Sequence, residues 1–216
     1  DVYKRQLGDG VDTINEAAGT DKIIFGEGIA SSDIKYRSVN EDLYLTIKGD
    51  ATQSIRLVNF FNASTNYRLE ALQFADGTII NISTTGLTYQ QQDVSETVNC
   101  LSWNDVINAG GGNDTINANG GDDIIYAEDG NDIVNAGEGN DTLVGGKGND
   151  TLNGGVGSDI YHYNLGDGFD TIYDEGGTDR IVFGEGIAFS DLSFRNEGNN
   201  LRVFVKGNEQ QGFCIN

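Results

Sequence analysis

The sequence has no proline, no methionine, one tryptophan, one histidine and two cysteines in 216 residues. Its 31 glycines follow no every-third-residue period and have no proline beside them, which excludes a collagen-like rod. A single histidine, His162, rules out an HExxH helix and a histidine-rich zinc site, and it reads as a structural or surface side chain. Cys100 and Cys214 lie far apart and outside any CxxC unit, too sparse for a disulfide scaffold. No apolar run approaches the roughly 18 residues of a helical membrane span, and no signal-peptide pattern opens the chain. Opening inside a motif and lacking methionine, the chain reads as a fragment of a longer protein. Basic residues are scarce too, 13 against 34 acidic ones, for a formal charge of -21. Such a chain repels nucleic acid and anionic lipid and favours cationic partners.

Acidity alone commonly marks a disordered or merely soluble chain. The order of the acids argues otherwise. From Asp105 they recur every nine residues, at Asp114, Asp123, Asp132, Asp141, Asp150 and Asp159. Two places after each stands an apolar or aromatic residue: Ile107, Ile116, Ile125, Val134, Leu143, Leu152 and Tyr161. Glycines recur two places before: Gly112, Gly121, Gly130, Gly139, Gly148 and Gly157. The three residues around each apolar position suit a short strand with its central side chain inward. The six preceding residues must reverse the chain, and glycine permits the backbone conformations required.

Two nine-residue units then make one coil. Asp114, Asp132 and Asp150 stack along one edge, and Asp105, Asp123, Asp141 and Asp159 along the other, with successive coils about 4.8 Å apart. Unpaired carboxylates at that spacing repel by about 1 kcal/mol in water and by more in a less polar setting. A hard dication removes that repulsion. Calcium, which accepts six to eight oxygen ligands in loose geometry, fits carboxylates and turn carbonyls better than magnesium or zinc. The Asp residues and the glycines of the turns are therefore the candidate metal site, for several Ca2+ ions.

The best units, Gly145-Gly146-Lys147-Gly148-Asn149-Asp150-Thr151-Leu152-Asn153 and Gly154-Gly155-Val156-Gly157-Ser158-Asp159-Ile160-Tyr161-His162, resemble the calcium-binding nonapeptide of RTX (haemolysin-type) proteins. The resemblance implies an all-β fold: a parallel β-roll, or β-solenoid, with flanking β-rich modules. Asn119 and Glu128 stand at glycine positions; asparagine tolerates left-handed backbone, whereas Glu128 is strained unless its turn distorts. Cys100 to Asn104 replace the expected glycines, suggesting a capping turn in which Trp103 covers the open end of the roll.

Residues 3–49 and 161–207 form a longer internal repeat at a constant offset of 158. Gly8-Asp9-Gly10-Val11-Asp12-Thr13-Ile14 returns as Gly166-Asp167-Gly168-Phe169-Asp170-Thr171-Ile172, and Phe25-Gly26-Glu27-Gly28-Ile29-Ala30 as Phe183-Gly184-Glu185-Gly186-Ile187-Ala188. These modules resemble the haemolysin-type calcium-binding related domain, including Phe74-Ala75-Asp76-Gly77-Thr78. The second copy loses the pattern after Gly207, so a truncated or altered end is expected. Asp12 and Asp21, like Asp170 and Asp179, are nine apart and precede an isoleucine by two, which adds these four to Asp105, whose turn lacks glycines, as further candidate ligands. Between Asp159 and Asp170 a two-residue insertion should bulge one turn without ending the coil.

The expected organisation is a β-rich module over 1–92, a linker and capping turn over 93–108, the roll over 109–162 and a second module over 163–216 that continues the roll. Gly146-Lys147-Gly148 lacks the ending of a phosphate loop, and no G-x-S-x-G elbow is present, so no catalysis is assigned to this chain. The resemblance implies calcium-coupled folding of a secreted or cell-surface bacterial protein exported by a type I secretion apparatus. The alternative is a calcium-stiffened structural or adhesive spacer. No nucleic acid and no membrane span are expected.

Overall fold

The computed structural model describes residues 1–15, 20–61, 69–82, 86–91 and 93–216. Parts of the first flanking module, residues 16–19, 62–68, 83–85 and 92, thus fall outside the described residues. The described chain is built of β-strands joined by tight turns, with two short 3-10 turns, Ser31–Asp33 and Phe189–Asp191. None of it forms a helix long and apolar enough to cross a membrane.

The nine-residue period becomes a two-sided parallel coil, because consecutive strands join opposite sheets and each strand pairs with the one two units on. One ladder runs through Thr97–Asn99, Thr115–Asn117, Ile133–Glu138, Thr151–Val156 and Phe169–Tyr173. The other runs through Thr88–Gln90, Val106–Asn108, Ile124–Tyr126, Thr142–Val144, Ile160–Tyr163 and Arg180–Phe183. The three-residue strands bury only their middle residue, as in Thr115–Asn117 and Thr142–Val144. Ile107, Ile116, Ile125, Val134, Leu143, Leu152 and Tyr161 form the inner files, all buried. Ala109, Ala118, Ala127 and Ala136, which open their units, fill the remaining interior. One large apolar side chain per unit is a thin core, so the turns must contribute to holding the coil.

Residues 93–108, expected as a linker and cap, contain two coil strands. Val98 pairs with Ile116, and Ile107 lies between Tyr89 and Ile125. Trp103 is 39% exposed in the turn between them and does not seal an end. Alternating apolar residues, Val98 inward and then Ile107 inward, place this segment in the coil although its turn lacks glycines.

At the other side the coil runs on. Leu152 pairs with Ile172 and Tyr161 with Ile181, a step of 20 residues in place of 18. The two extra residues are absorbed in one turn, where Asp167 Oδ2 accepts the Asn164 N–H at 2.6 Å and the Asp167 carbonyl accepts the Gly148 N–H at 2.8 Å. Ile172 is buried and Ile181 packs against the core.

The long internal repeat is also a repeat of fold. Ile34–Val39, Asp42–Ile47 and Asp50–Leu57 form an antiparallel meander, matched by Leu192–Glu197, Asn200–Val205 and Asn208–Ile215. Val11–Ile14 pairs with the last strand of the first meander, and Phe169–Ile172 with the last strand of the second. The second copy therefore keeps its pattern past Gly207, to Ile215. Three shared features hold the match: a side chain at Asp50 or Asn208 that accepts the N–H two residues on, a glutamine at 53 or 211 whose carbonyl accepts the N–H of Gly8 or Gly166, and apolar residues at 55 and 57 or 213 and 215. The copies differ at one edge. Tyr36 of the first pairs with Tyr89 and is 7% exposed, while its counterpart Phe194 is 53% exposed on an edge strand.

Candidate metal centre

Each turn aspartate lies at the corner where a turn enters a strand, and the coil geometry stacks the corners into two files. Along the first, the backbone N–H of Glu96 donates to Asp114 Oδ1, Asp114 to Asp132, Asp132 to Asp150, and Asp150 to Asp170, at 2.7, 2.7, 2.8 and 3.0 Å. Along the second, Leu87 donates to Asp105, Asp105 to Asp123, Asp123 to Asp141, Asp141 to Asp159, and Asp159 to Asp179, at 2.6 to 3.1 Å. Each carboxylate is thus fixed by the amide of the coil before it. The register from the sequence, two files stepping by 18, is the register of these bonds.

The second oxygen of each carboxylate has no such partner. Oδ2 of Asp105, Asp114, Asp123, Asp132, Asp141, Asp150 and Asp159 is buried without a hydrogen-bond donor, on residues no more than 2% exposed. Buried polar atoms are nearly always satisfied, and seven at equivalent positions mark a common missing partner. Burial pushes Asp132 and Asp141 up to about 6, Asp105 and Asp150 to about 7, and Asp123 and Asp170 to about 8, against an ordinary 3.8. Asp114 and Asp159 are raised for the same reason. Loss of water outweighs the stabilising backbone bonds, so the negative charge lacks compensation from the protein itself.

The turn glycines bring the backbone of adjacent coils into contact. A β-carbon on Gly130 would lie 1.6 Å from the Gly112 carbonyl oxygen, and one on Gly148 equally close to the Gly130 carbonyl. Carbonyls of Gly112, Gly130 and Gly139 accordingly project along the files toward the glycine of the next coil. Gly121, Gly148 and Gly157 continue the pattern, all with positive φ. Carboxylate oxygens short of partners beside closely stacked carbonyls are the donor set of a hard oxygen-binding dication, and the residues present fit calcium. Asn119 and Glu128 adopt φ of 75° and 78°, so the glutamate turn keeps its left-handed backbone.

The further candidates separate. Asp170 is 3% exposed and stacks on Asp150. Asp179 stacks on Asp159 but is exposed. Asp12 and Asp21 do not join an aspartate file. Asp12 pairs across the sheet with Ile55 and its carboxylate forms an ion pair with Arg5. Asp21, buried, holds the ammonium of Asp1. The nine-residue spacing recurs there, but the neighbours differ: Val11–Ile14 pairs with the meander strand Asp50–Leu57, and Lys22–Phe25 with Val2–Arg5 and Ala71–Gln73, none of them a coil of the roll.

Two features escaped the sequence reading. The residue before each aspartate forms a second ladder running the opposite way: Asn131 donates its N–H to Asn113 Oδ1, Asn149 to Asn131 and Phe169 to Asn149, at 2.8 Å each. Asp122, Asn140, Ser158 and Thr178 repeat it on the other edge, starting from Asn104. The signal was present, since short acceptor side chains (Asn, Asp, Ser or Thr) fill nearly every such position. The other feature is Asp174, whose carboxylate meets those of Asp159 and Asp179, ligand oxygens all within 4.8 Å of one another.

Among known families, the RTX calcium-binding nonapeptide repeat matches four stretches, residues 104–134, 126–161, 135–168 and 162–187. The haemolysin-type calcium binding protein related domain matches residues 42–84. No curated protein matches the chain. Among solved structures, the extracellular lipase LipA of Serratia marcescens is similar over all of this chain and 36% of its own, with 16% identity and a TM-score of 0.35. The AlgE6R3 subunit of the Azotobacter vinelandii mannuronan C5-epimerase is similar over 62% of this chain and 71% of its own, with 23% identity and a TM-score of 0.18. This chain thus spans about a third of the lipase's length, and likenesses this distant carry no functional argument. The family matches and the coil agree: residues 104–187 form an RTX calcium-binding nonapeptide repeat region, and residues 42–84 before it match a haemolysin-type calcium-binding related domain.

Proposed function

We propose that the roll binds several calcium ions between successive coils, through Asp114, Asp132 and Asp150 on one edge and Asp123, Asp141 and Asp159 on the other. Turn carbonyls at the recurring glycines complete each site, and Asp105, Asp170 and Asp179 extend the files. The observation that carries this reading is the row of buried, partnerless Oδ2 atoms. Calcium supplies the positive charge and the oxygen coordination that the chain alone does not give these carboxylates. The unfolded chain cannot assemble the files, so ion binding favours the folded state by mass action. The coupling suits a secreted or cell-surface bacterial protein that stays loose until it meets extracellular calcium, with a type I secretion apparatus as the exporter that the family implies.

Circular dichroism during a calcium titration tests the coupling. β-structure should rise between micromolar and millimolar calcium, fall on chelation and respond much less to magnesium. A spectrum unchanged by excess chelator contradicts it.

The second reading, a calcium-stiffened spacer, draws on the way both flanking meanders join the sheets of the roll. Binding of the chain to cells or carbohydrate in calcium would favour adhesion, and export lost on deleting this segment from its parent would favour secretion.

A further inference from the structure

We propose that Asp174 converts the last interval of the second file into a distinct three-carboxylate cation site, with Asp159 and Asp179, that binds calcium more tightly than the two-aspartate intervals before it. The inference rests on the calcium reading of the files but assigns a site that the nonapeptide pattern does not contain. Asp174 stands five residues before Asp179, the position occupied on this edge by Ala118, Ala136 and Gly154. Elsewhere that position is a small residue inside the coil. Here it carries a charge.

Asp174 brings a third carboxylate to this corner from the turn that precedes Asp179. Ligand oxygens of Asp159, Asp174 and Asp179 lie within 4.8 Å of one another. An independent observation points to a ligand: Asp159 is 0% exposed, and its Oδ2, on the carboxylate that faces this cluster, has no partner. No ion pair among the described residues engages any of the three carboxylates.

Asp174 is also held in place. Tyr161 occupies the inward position taken by Ile125 and Leu143 in earlier coils. Its hydroxyl accepts the Gly154 N–H at 2.9 Å and donates to Asp174 Oδ2 at 2.7 Å, while Asp174 Oδ1 accepts the Gly176 N–H at 3.0 Å. A β-carbon on Gly154 would lie 2.2 Å from that hydroxyl oxygen, so glycine makes room for the tyrosine. Tyr161 is a positioning residue: it fixes the carboxylate that would bind the ion, as outer partners of metal ligands commonly do. A third carboxylate raises the site's charge, and ligand charge count is a main control of calcium affinity.

Isothermal titration of calcium chloride into the full chain tests this with four proteins: wild type, Asp174→Ala, Tyr161→Phe and the control Asp129→Asn, whose carboxylate pairs with Lys147 on the surface. Asp174→Ala restores the side chain of Ala118 and Ala136 and is compatible with the coil. Wild type should show a tightest class of one ion per chain. Asp174→Ala should weaken that class by about tenfold or more, Tyr161→Phe should weaken it less, and Asp129→Asn should leave it unchanged. If Asp174→Ala fails to fold, the Tyr161→Phe isotherm decides alone. Superimposable wild-type, Asp174→Ala and Tyr161→Phe isotherms, with calcium still taken up, overturn the site and leave the calcium reading standing. No calcium uptake by wild type overturns both.

Discussion

At the scale of the residue, a buried aspartate with one oxygen bonded and the other bare must find either a proton or a cation. The raised values of Asp105, Asp123, Asp132, Asp141, Asp150 and Asp170, from about 6 to about 8, show how strongly the folded coil favours the protonated form when no ion is supplied. The sign follows from linkage. The folded state holds these protons above the ordinary 3.8, so their contribution to stability is fully present below that value and is lost as pH rises through 6 to 8. In chelator, the chain should therefore show more β-structure by circular dichroism at pH 5 than at pH 8. With calcium present, protons and ions compete for the same oxygens, and the calcium midpoint should rise as pH falls through that window. More order at pH 8 than at pH 5 in chelator would show that burial does not control these carboxylates.

At the scale of the element, the turn sets the limits of substitution, and two glycine-type positions in it behave differently. Glu128 sits at φ 78° with its carboxylate accepting from Asn108 Nδ2 at 3.2 Å. Left-handed backbone costs a side-chain-bearing residue about 1 to 2 kcal/mol, so Glu128→Gly should stabilise the calcium-bound roll by about 1 kcal/mol in thermal unfolding. Gly148 cannot give way in the other direction, because a β-carbon there would meet the Gly130 carbonyl at 1.6 Å. Gly148→Ala should separate two coils and lower the thermal midpoint in calcium, with the loss of at least one bound ion. Equal midpoints for Gly148→Ala and wild type would show that the coils need not approach so closely. The strand and turn rhythm was legible because its signals are local: one apolar residue, one aspartate and one glycine at fixed spacing. The ladder of Asn113, Asn131 and Asn149 was not, because a polar residue in a turn looks alike whether it faces water or the amide of a coil 18 residues away.

At the scale of the whole molecule, the sequence showed a roll with duplicated flanks, and the missed parts were those that depend on distant pairing. Residues 208–215 looked unrelated to 50–57 because only Gln53 and Gln211 are identical, yet both segments become the third strand of a meander paired to Val11–Ile14 or Phe169–Tyr173. Trp103 looked like a lid because its turn lacks glycine, although Val98 and Ile107 on either side keep the inward alternation. Asp12 and Asp170 have similar local sequences, but among the described residues Asp170 stacks on Asp150 whereas Asp12 pairs with Ile55 of the meander. Local motif and long-range neighbour are both needed to place an aspartate in a file. The most direct test of the calcium reading is a crystal structure of the chain grown in calcium, with ions located by anomalous scattering. Ions should occupy both files, each touching Oδ2 of aspartates in successive coils, such as Asp114 with Asp132 and Asp123 with Asp141. Calcium confined to other surfaces, with those Oδ2 atoms bonded to water or to protein donors, would contradict it.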